Sequence, residues 1–222
     1  MSSITTNLQQ TLADLPKGVR LVAVSKYYPN EAIKEAYESG QRMFGESRVQ
    51  EMCTKYETLP KDIEWHFIGH LQTNKIKQIV PYVMLIHGVD SYKLLTEIDS
   101  QAVKAGRVIN VLLQLYIAQE ETKFGFSQDE CREMLAAGEW KELTSIRICG
   151  MMGMASYTDC EKQIEREFCS LRKFFDEIKE TYFATQSSFQ ELSMGMSHDY
   201  HIAIETGSTL VRVGSKIFGE RM

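Results

Sequence analysis

The run Leu21-Val22-Ala23-Val24-Ser25-Lys26 decides how the rest of the chain is read. Apolar residues pass directly into a serine and a lysine, and Tyr27-Tyr28-Pro29-Asn30 follows. A short apolar run closed by a proline turn reads as a strand buried on both faces, the kind found in parallel sheets. Lys26 then stands at the carboxyl end of that strand, where α/β sheets and barrels hold their ligands. Taken alone, a lysine in that place is most simply a solvated cation.

The pattern outward from this strand is an alternation. Before it, Ile4, Leu8, Leu12 and Leu15 recur at helical spacing, which predicts an amphipathic helix ended by Pro16-Lys17-Gly18. After it, Asn30 as cap and Ile33, Ala36 and Tyr37 on one face predict a helix stopped by Gly40. Met43-Phe44-Gly45 reads as a second strand, and Ser47 with Gln50 reads as a capping box opening a helix toward Tyr56. Trp65 to Ile68, Val83 to Ile86 and Val108 to Leu115 continue the strands. Ile146 to Cys149, Leu192 to Met194 and Leu210 to Val213 complete them. Helices are predicted over Thr73 to Val80, around Leu94, Leu95, Ile98 and Ala102, after the Ser127/Glu130 cap, and around Ile164, Phe168, Leu171, Phe175 and Ile178. The loop Lys123-Phe124-Gly125-Phe126 follows the fifth strand.

Eight strand-like runs alternating with helices predict a single (β/α)8 TIM-type barrel with an additional N-terminal helix. The expected boundaries are one domain over 1–222, with the helix at 1–16 and the barrel at 20–219. An open doubly wound sheet would want a glycine-rich dinucleotide turn after strand one, where this chain has Ser25-Lys26-Tyr27-Tyr28-Pro29. Neither G-x-G-x-x-G nor G-x-x-x-x-G-K-[ST] occurs.

Bulk composition narrows the function. The 222 residues are 43% hydrophobic and 25% charged, an ordinary globular balance, and the net charge of −5 speaks against a nucleic-acid surface. No apolar run approaches the roughly 18 residues that span a bilayer, and no secretion signal opens the chain. Cys53, Cys131, Cys149, Cys160 and Cys169 form no C-x-x-C pair, so reduced packing thiols in the cytoplasm are expected.

Two late segments suit an anion. In Ser193-Met194-Gly195-Met196-Ser197, Gly195 lets the backbone approach closely, and Ser197 is expected to open the helix that carries Ile202 and Ala203. In Arg212-Val213-Gly214-Ser215, strand eight ends in a glycine and a hydroxyl residue. Both follow strands seven and eight, the usual phosphate position of this barrel. In a closed barrel strand eight neighbours strand one, so the tips that carry these segments adjoin the Lys26 tip, at about 4.8 Å per strand. Pyridoxal 5′-phosphate (PLP), with a phosphate at one end and an aldehyde at the other, has the matching shape.

At this point the sequence resembles the pyridoxal phosphate homeostasis protein family, PLP-binding barrels related to the N-terminal domain of alanine racemase. The matching runs are Ala23-Val24-Ser25-Lys26, Phe44 to Glu51, Trp65 to Gln72, Ser193 to Ser197 and Gly207 to Gly219. The resemblance implies that Lys26 carries the cofactor as a Schiff base and that Ser197 and the Gly214–Ser215 backbone hold its phosphate, beside Gly195 and Met196. It implies that Arg212 faces the ring nitrogen. The family usually has asparagine where this chain has Ser47, a shorter side chain at a position expected to face the cofactor. An arginine is a permanent donor, so it would leave the ring nitrogen unprotonated and the ring a weaker electron sink than one facing a carboxylate.

The function expected on this resemblance is a non-catalytic cytoplasmic PLP carrier, with PLP-dependent apo-enzymes as recipients, no nucleic acid or membrane partner, and an open oligomeric state that includes a monomer. Two other readings stand beside it. One is an amino-acid racemase, whose second base comes from an added β-domain, for which no sequence remains between strand eight and Met222. The other is a barrel for a different phosphorylated metabolite. His66 and His70 are read as hydrogen-bonded or pocket-lining groups and not a zinc pair, because they sit at a strand end. Consecutive Ser197-His198-Asp199 cannot converge as a triad, and Glu120-Glu121 reads as a solvated loop.

Overall fold

The structure is a computed structural model that describes residues 3–119 and 124–219. The predicted acidic loop at Glu120-Glu121, the start of the Lys123–Phe126 loop and the chain end at Met222 lie outside the described residues.

Eight parallel strands close on themselves in chain order. They are β1 (Arg20–Val24), β2 (Met43–Glu46), β3 (Glu64–Phe67), β4 (Leu85–Val89), β5 (Ile109–Tyr116), β6 (Ile146–Met154), β7 (Glu191–Ser193) and β8 (Leu210–Val213). The helices are α1 (Ser3–Ala13), α2 (Asn30–Glu38), α3 (Val49–Thr58), α4 (Ile76–Ile79), α5 (Tyr92–Ala105), α6 (Gln128–Ala137), α7 (Glu161–Tyr182), α8 (Tyr200–Glu205) and α9 (Ser215–Phe218). The closure is the pairing of β1 with β8, in register Val22↔Arg212 and Ala23↔Val213.

The predicted barrel and its extra helix are therefore present. The main core lies between sheet and helices. On α7, Ile164, Phe168, Leu171, Phe175 and Ile178 all turn inward, as their spacing requires. A smaller apolar cluster of Val22, Leu85, Leu112, Cys149, Met152 and Leu210 draws only on strand residues and occupies part of the barrel interior. α1 lies outside the β1–β8 seam. Its Leu8 is fully buried, Asn7 Nδ2 donates to Ile217 O of α9 at 3.2 Å, and Thr5 N donates to Glu35 Oε1 of α2 at 3.2 Å.

Several local expectations shift. The Ser127/Glu130 capping box is formed. The one expected at Ser47 and Gln50 is not: α3 begins at Val49, with Arg48 as its cap and no side-chain capping bond. A Cβ on Gly69 would come within 2.3 Å of Ser47 O, so the Ser47 backbone is already committed to packing against β3's exit. Nor does Ser197 open α8, which begins at Tyr200 because Asp199 Oδ1 takes the Met196 N–H at 2.5 Å and closes a separate turn. Likewise Asn30 is inside α2, whose cap is Pro29. The expected fourth strand, Val83 to Ile86, is displaced to Leu85–Val89, which brings His87 into the sheet.

Candidate functional site

The site is built on the carboxyl rim where β1 meets β8. Lys26 sits in the turn just past β1 and is half-buried. Beside it, Gly214 follows β8 so closely that an added Cβ would lie 3.0 Å from Val24 O. Gly214 N donates to Ser197 Oγ at 3.1 Å, which joins the loop after β7 to the tip of β8. Gly195 stands at φ 91°, a left-handed backbone, and a Cβ there would come within 2.7 Å of Ala203 Cβ. Both glycines are needed for backbone to approach backbone. Met196 is tied into the same loop, its N–H to Asp199 Oδ1 and its carbonyl accepting from Asp199 N at 3.1 Å and Tyr200 N at 2.9 Å. Ser215 is exposed at the start of α9, where the first N–H groups of a helix lack partners within it. The predicted residues Gly195, Met196, Ser197, Gly214 and Ser215 thus form one polar turn surface beside Val24.

Arg212 lies beneath that surface, 4% exposed. It donates to Ser193 O at 2.9 Å, to Ser193 Oγ at 2.5 Å and to Gly153 O at 3.2 Å, all neutral acceptors. No ion pair among the described residues includes it. Burial pulls its pKa down to about 10, against the opposing charge of Asp199, so it remains a cation at neutral pH. These bonds use three of five guanidinium donors at most. A buried cation with spare donors is a place for an acceptor.

Behind Arg212 runs a polar chain that sequence reading missed. His87 Nδ1 lies 3.0 Å from Ser193 Oγ, and His87 Nε2 lies 2.9 Å from His66 Nδ1. Burial holds both imidazoles neutral, His66 at about 3 and His87 well below the ordinary range, with the charges of Arg20 and Arg212 acting in the same direction. His66 is thus hydrogen-bonded structure, as expected. His70 is exposed on the rim, 3.0 Å from Asp90 Oδ2. Among the described residues no group of three or more histidine, cysteine, aspartate or glutamate side chains could hold a metal.

Ser47 is half-buried on the other side of Lys26, past β2, which pairs with β1 through Val24↔Gly45. It stands two strands from the Gly214 turn, roughly 10 Å at sheet spacing. The two tyrosines after Lys26 part company. Tyr28 is buried, its hydroxyl donating to Gly219 O at 2.5 Å and its ring 4.8 Å from Phe218. Tyr27 is exposed at φ 71°, with the Arg48 guanidinium 4.9 Å from its ring centre. A cavity of about 380 Å³ beside Val108, Ile146 and Arg147 involves none of the predicted residues.

The rim therefore offers an amine, a close-approach backbone turn with a hydroxyl for an anion, and a buried cation, on adjoining strands. Other residues at work here were hidden for reasons of pattern. His87 lies one position past the apolar run that suggested β4. Lys55 of α3 donates to Ser25 O at 2.8 Å, and its one sequence signal is a charge three residues after buried Met52.

Comparison with known proteins gives the family and the fold. The family described as alanine racemase, N-terminal domain, matches residues 1–222. The pyridoxal phosphate homeostasis protein of Aquifex aeolicus (strain VF5) is 41% identical over 204 residues, 91% of this chain and 87% of that one. The protein of that name from Synechocystis sp. (strain PCC 6803) is 36% identical over 215 residues, 96% of each. Among solved structures, PipY of Synechococcus elongatus PCC7942 with PLP bound superposes with a TM-score of 0.87 at 36% identity, over 97% of this chain and all of that one. Alanine racemase of Clostridium difficile 630 superposes at 0.80 with 15% identity, over 98% of this chain and 56% of that one, a likeness of fold.

Proposed function

This chain belongs to the pyridoxal phosphate homeostasis protein family, built on the alanine racemase N-terminal domain, and on that premise we propose that it binds PLP as a Schiff base on Lys26 and serves in intracellular homeostasis and carriage of that cofactor. The observation that carries this reading is the meeting at the β1–β8 seam. The turn of Lys26 adjoins the Ser197–Gly214 turn, and buried Arg212 lies below.

The residues present fit the group. Gly195 and Gly214 let their turns close against α8 and Val24, and Ser197, Ser215 and the first amides of α9 offer donors to a phosphate. Arg212, with donors to spare, would face the ring nitrogen as a permanent donor and would leave that nitrogen unprotonated. Lys26 would hold the cofactor through Nζ, as the amine that takes the place of the aldehyde oxygen, with that oxygen leaving as water. When bound, the cofactor supplies this aldehyde and a conjugated ring that withdraws electrons weakly while its nitrogen is bare. That weakness favours holding over turnover. Ser47, past β2 on the opposite flank of Lys26, would face the ring side of the cofactor. The reading sets the protein in the cytoplasm, with PLP-dependent apo-enzymes as recipients.

Purified protein mixed with PLP should gain a band at the violet edge of the ultraviolet, and borohydride should fix the cofactor on the peptide containing Lys26. Lys26→Ala should lose the fixed adduct. An adduct that persists in Lys26→Ala, or maps to another lysine, sinks the assignment. Racemase chemistry has its own readout: exchange of the alanine Cα hydrogen in D₂O at a catalytic rate would replace carriage by turnover.

A further inference from the structure

Lys26 is flanked by two residues that are both held by one buried ammonium group. Lys55 Nζ donates to Ser25 O at 2.8 Å, to Glu46 Oε1 at 2.8 Å and to Glu51 Oε1 at 2.6 Å. An ammonium has three donors and no acceptor, so these bonds saturate it. Glu51 Oε1 also accepts the Tyr27 N–H at 2.6 Å, and Glu46 Oε1 accepts the Ser25 hydroxyl at 2.6 Å. The residue before Lys26 is therefore tied to Lys55 directly, and the residue after it through Glu51. What this linkage holds is a costly conformation: Tyr27 stands at φ 71°, the only described non-glycine residue with positive φ.

Resting on the reading of Lys26 as the attachment point, we propose that Lys55 and Glu51 are positioning residues. They fix the backbone on both sides of Lys26 and so present its amine in one orientation for condensation. Neither belongs to the phosphate turn, which is built from β7, β8 and α9. Their loss should slow formation of the C=N bond, and release of its water, without weakening capture of the phosphate and ring.

Pyridoxine 5′-phosphate separates the two events, because it carries an alcohol where PLP carries the aldehyde. In Glu51→Ala, borohydride-trappable Schiff base on Lys26 should form at least about tenfold more slowly, since misplacement on the order of 1 Å costs that much or more. Affinity for pyridoxine 5′-phosphate should stay within about twofold, as expected where binding and orientation are separate contributions. Glu51→Gln keeps an acceptor for the Tyr27 N–H and should restore the rate. Tyr27→Gly in the Glu51→Ala background removes the Cβ penalty at positive φ and should recover part of the loss. Trapping at the wild-type rate in Glu51→Ala overturns the proposal. So does equal loss of both ligands, which marks a general structural role, and so does failure of Glu51→Gln to rescue. If the wild-type chain traps nothing on Lys26, the attachment reading itself has failed, and this proposal with it.

Discussion

Among single residues, Glu46 has the sharpest consequence for pH. It is fully buried, Oε2 has no hydrogen-bond partner, and burial outweighs Lys55 and pushes its pKa up to about 7. A carboxyl with a raised folded pKa adds stability that is complete below its unfolded value, about 4.3. That contribution is lost as pH rises through about 7. The range corresponds to on the order of 3 kcal/mol. Urea unfolding at pH 5 and pH 8 should register a larger loss in the wild-type protein than in Glu46→Gln, which cannot titrate. Equal losses would remove Glu46 as the cause. At this scale the sequence was only partly legible. Lys26, Gly195, Ser197 and Gly214 follow strand ends, so position alone could bring them to one rim, whereas Arg212 lies inside β8 and its role came from the family resemblance. Lys55, Glu46 and His87 act through partners distant in the chain, and nothing local distinguishes a buried lysine from a solvated one until its acceptors are in place.

At the level of elements, alternation of apolar runs and amphipathic stretches was enough to order the strands, because a strand covered on both faces has few other readings. The ends were harder to place. β6 runs on through Gly150 and Gly153 to Met154, although glycine ordinarily weakens a strand. The reason is a shift in the β5–β6 register after Val111↔Ile148, where Leu112 pairs with Gly150 and skips Cys149. Gly150 has φ 149°, and an added Cβ would lie 1.8 Å from Glu191 O of β7. That contact involves backbone, which cannot swing aside. Gly150→Ala should therefore lower unfolding free energy by about 2–4 kcal/mol, through backbone strain and separation of β6 from β7. A change below about 0.5 kcal/mol, the range of ordinary surface substitutions, would mean the bulge relaxes freely. Ser197 illustrates the opposite error: a serine before a helical run suggests a cap, but Asp199 lies closer to the helix and closes the turn first.

On the scale of the whole molecule, the barrel closes between its first and last strands, and the candidate site lies across that closure. α1 covers the seam from outside: Leu8 is fully buried, and Lys216 Nζ reaches Asp14 Oδ2 at 3.0 Å. Leu8→Ala should cost about 2–5 kcal/mol by leaving a cavity there. A ligand that binds only the folded state should restore part of this, about 2.7 kcal/mol at a hundredfold excess over its Kd. Thermal melts of Leu8→Ala with and without PLP measure both effects, and an equal melting temperature in the two conditions would deny that the ligand depends on the closed seam. The placement of the site also orders events during synthesis. A growing polypeptide displays Lys26 early, but the Arg212–Ser215 run emerges only after the seven other staves. On the proposed reading, cofactor uptake would then report that the barrel has finished assembling, and half-made chains would be left empty.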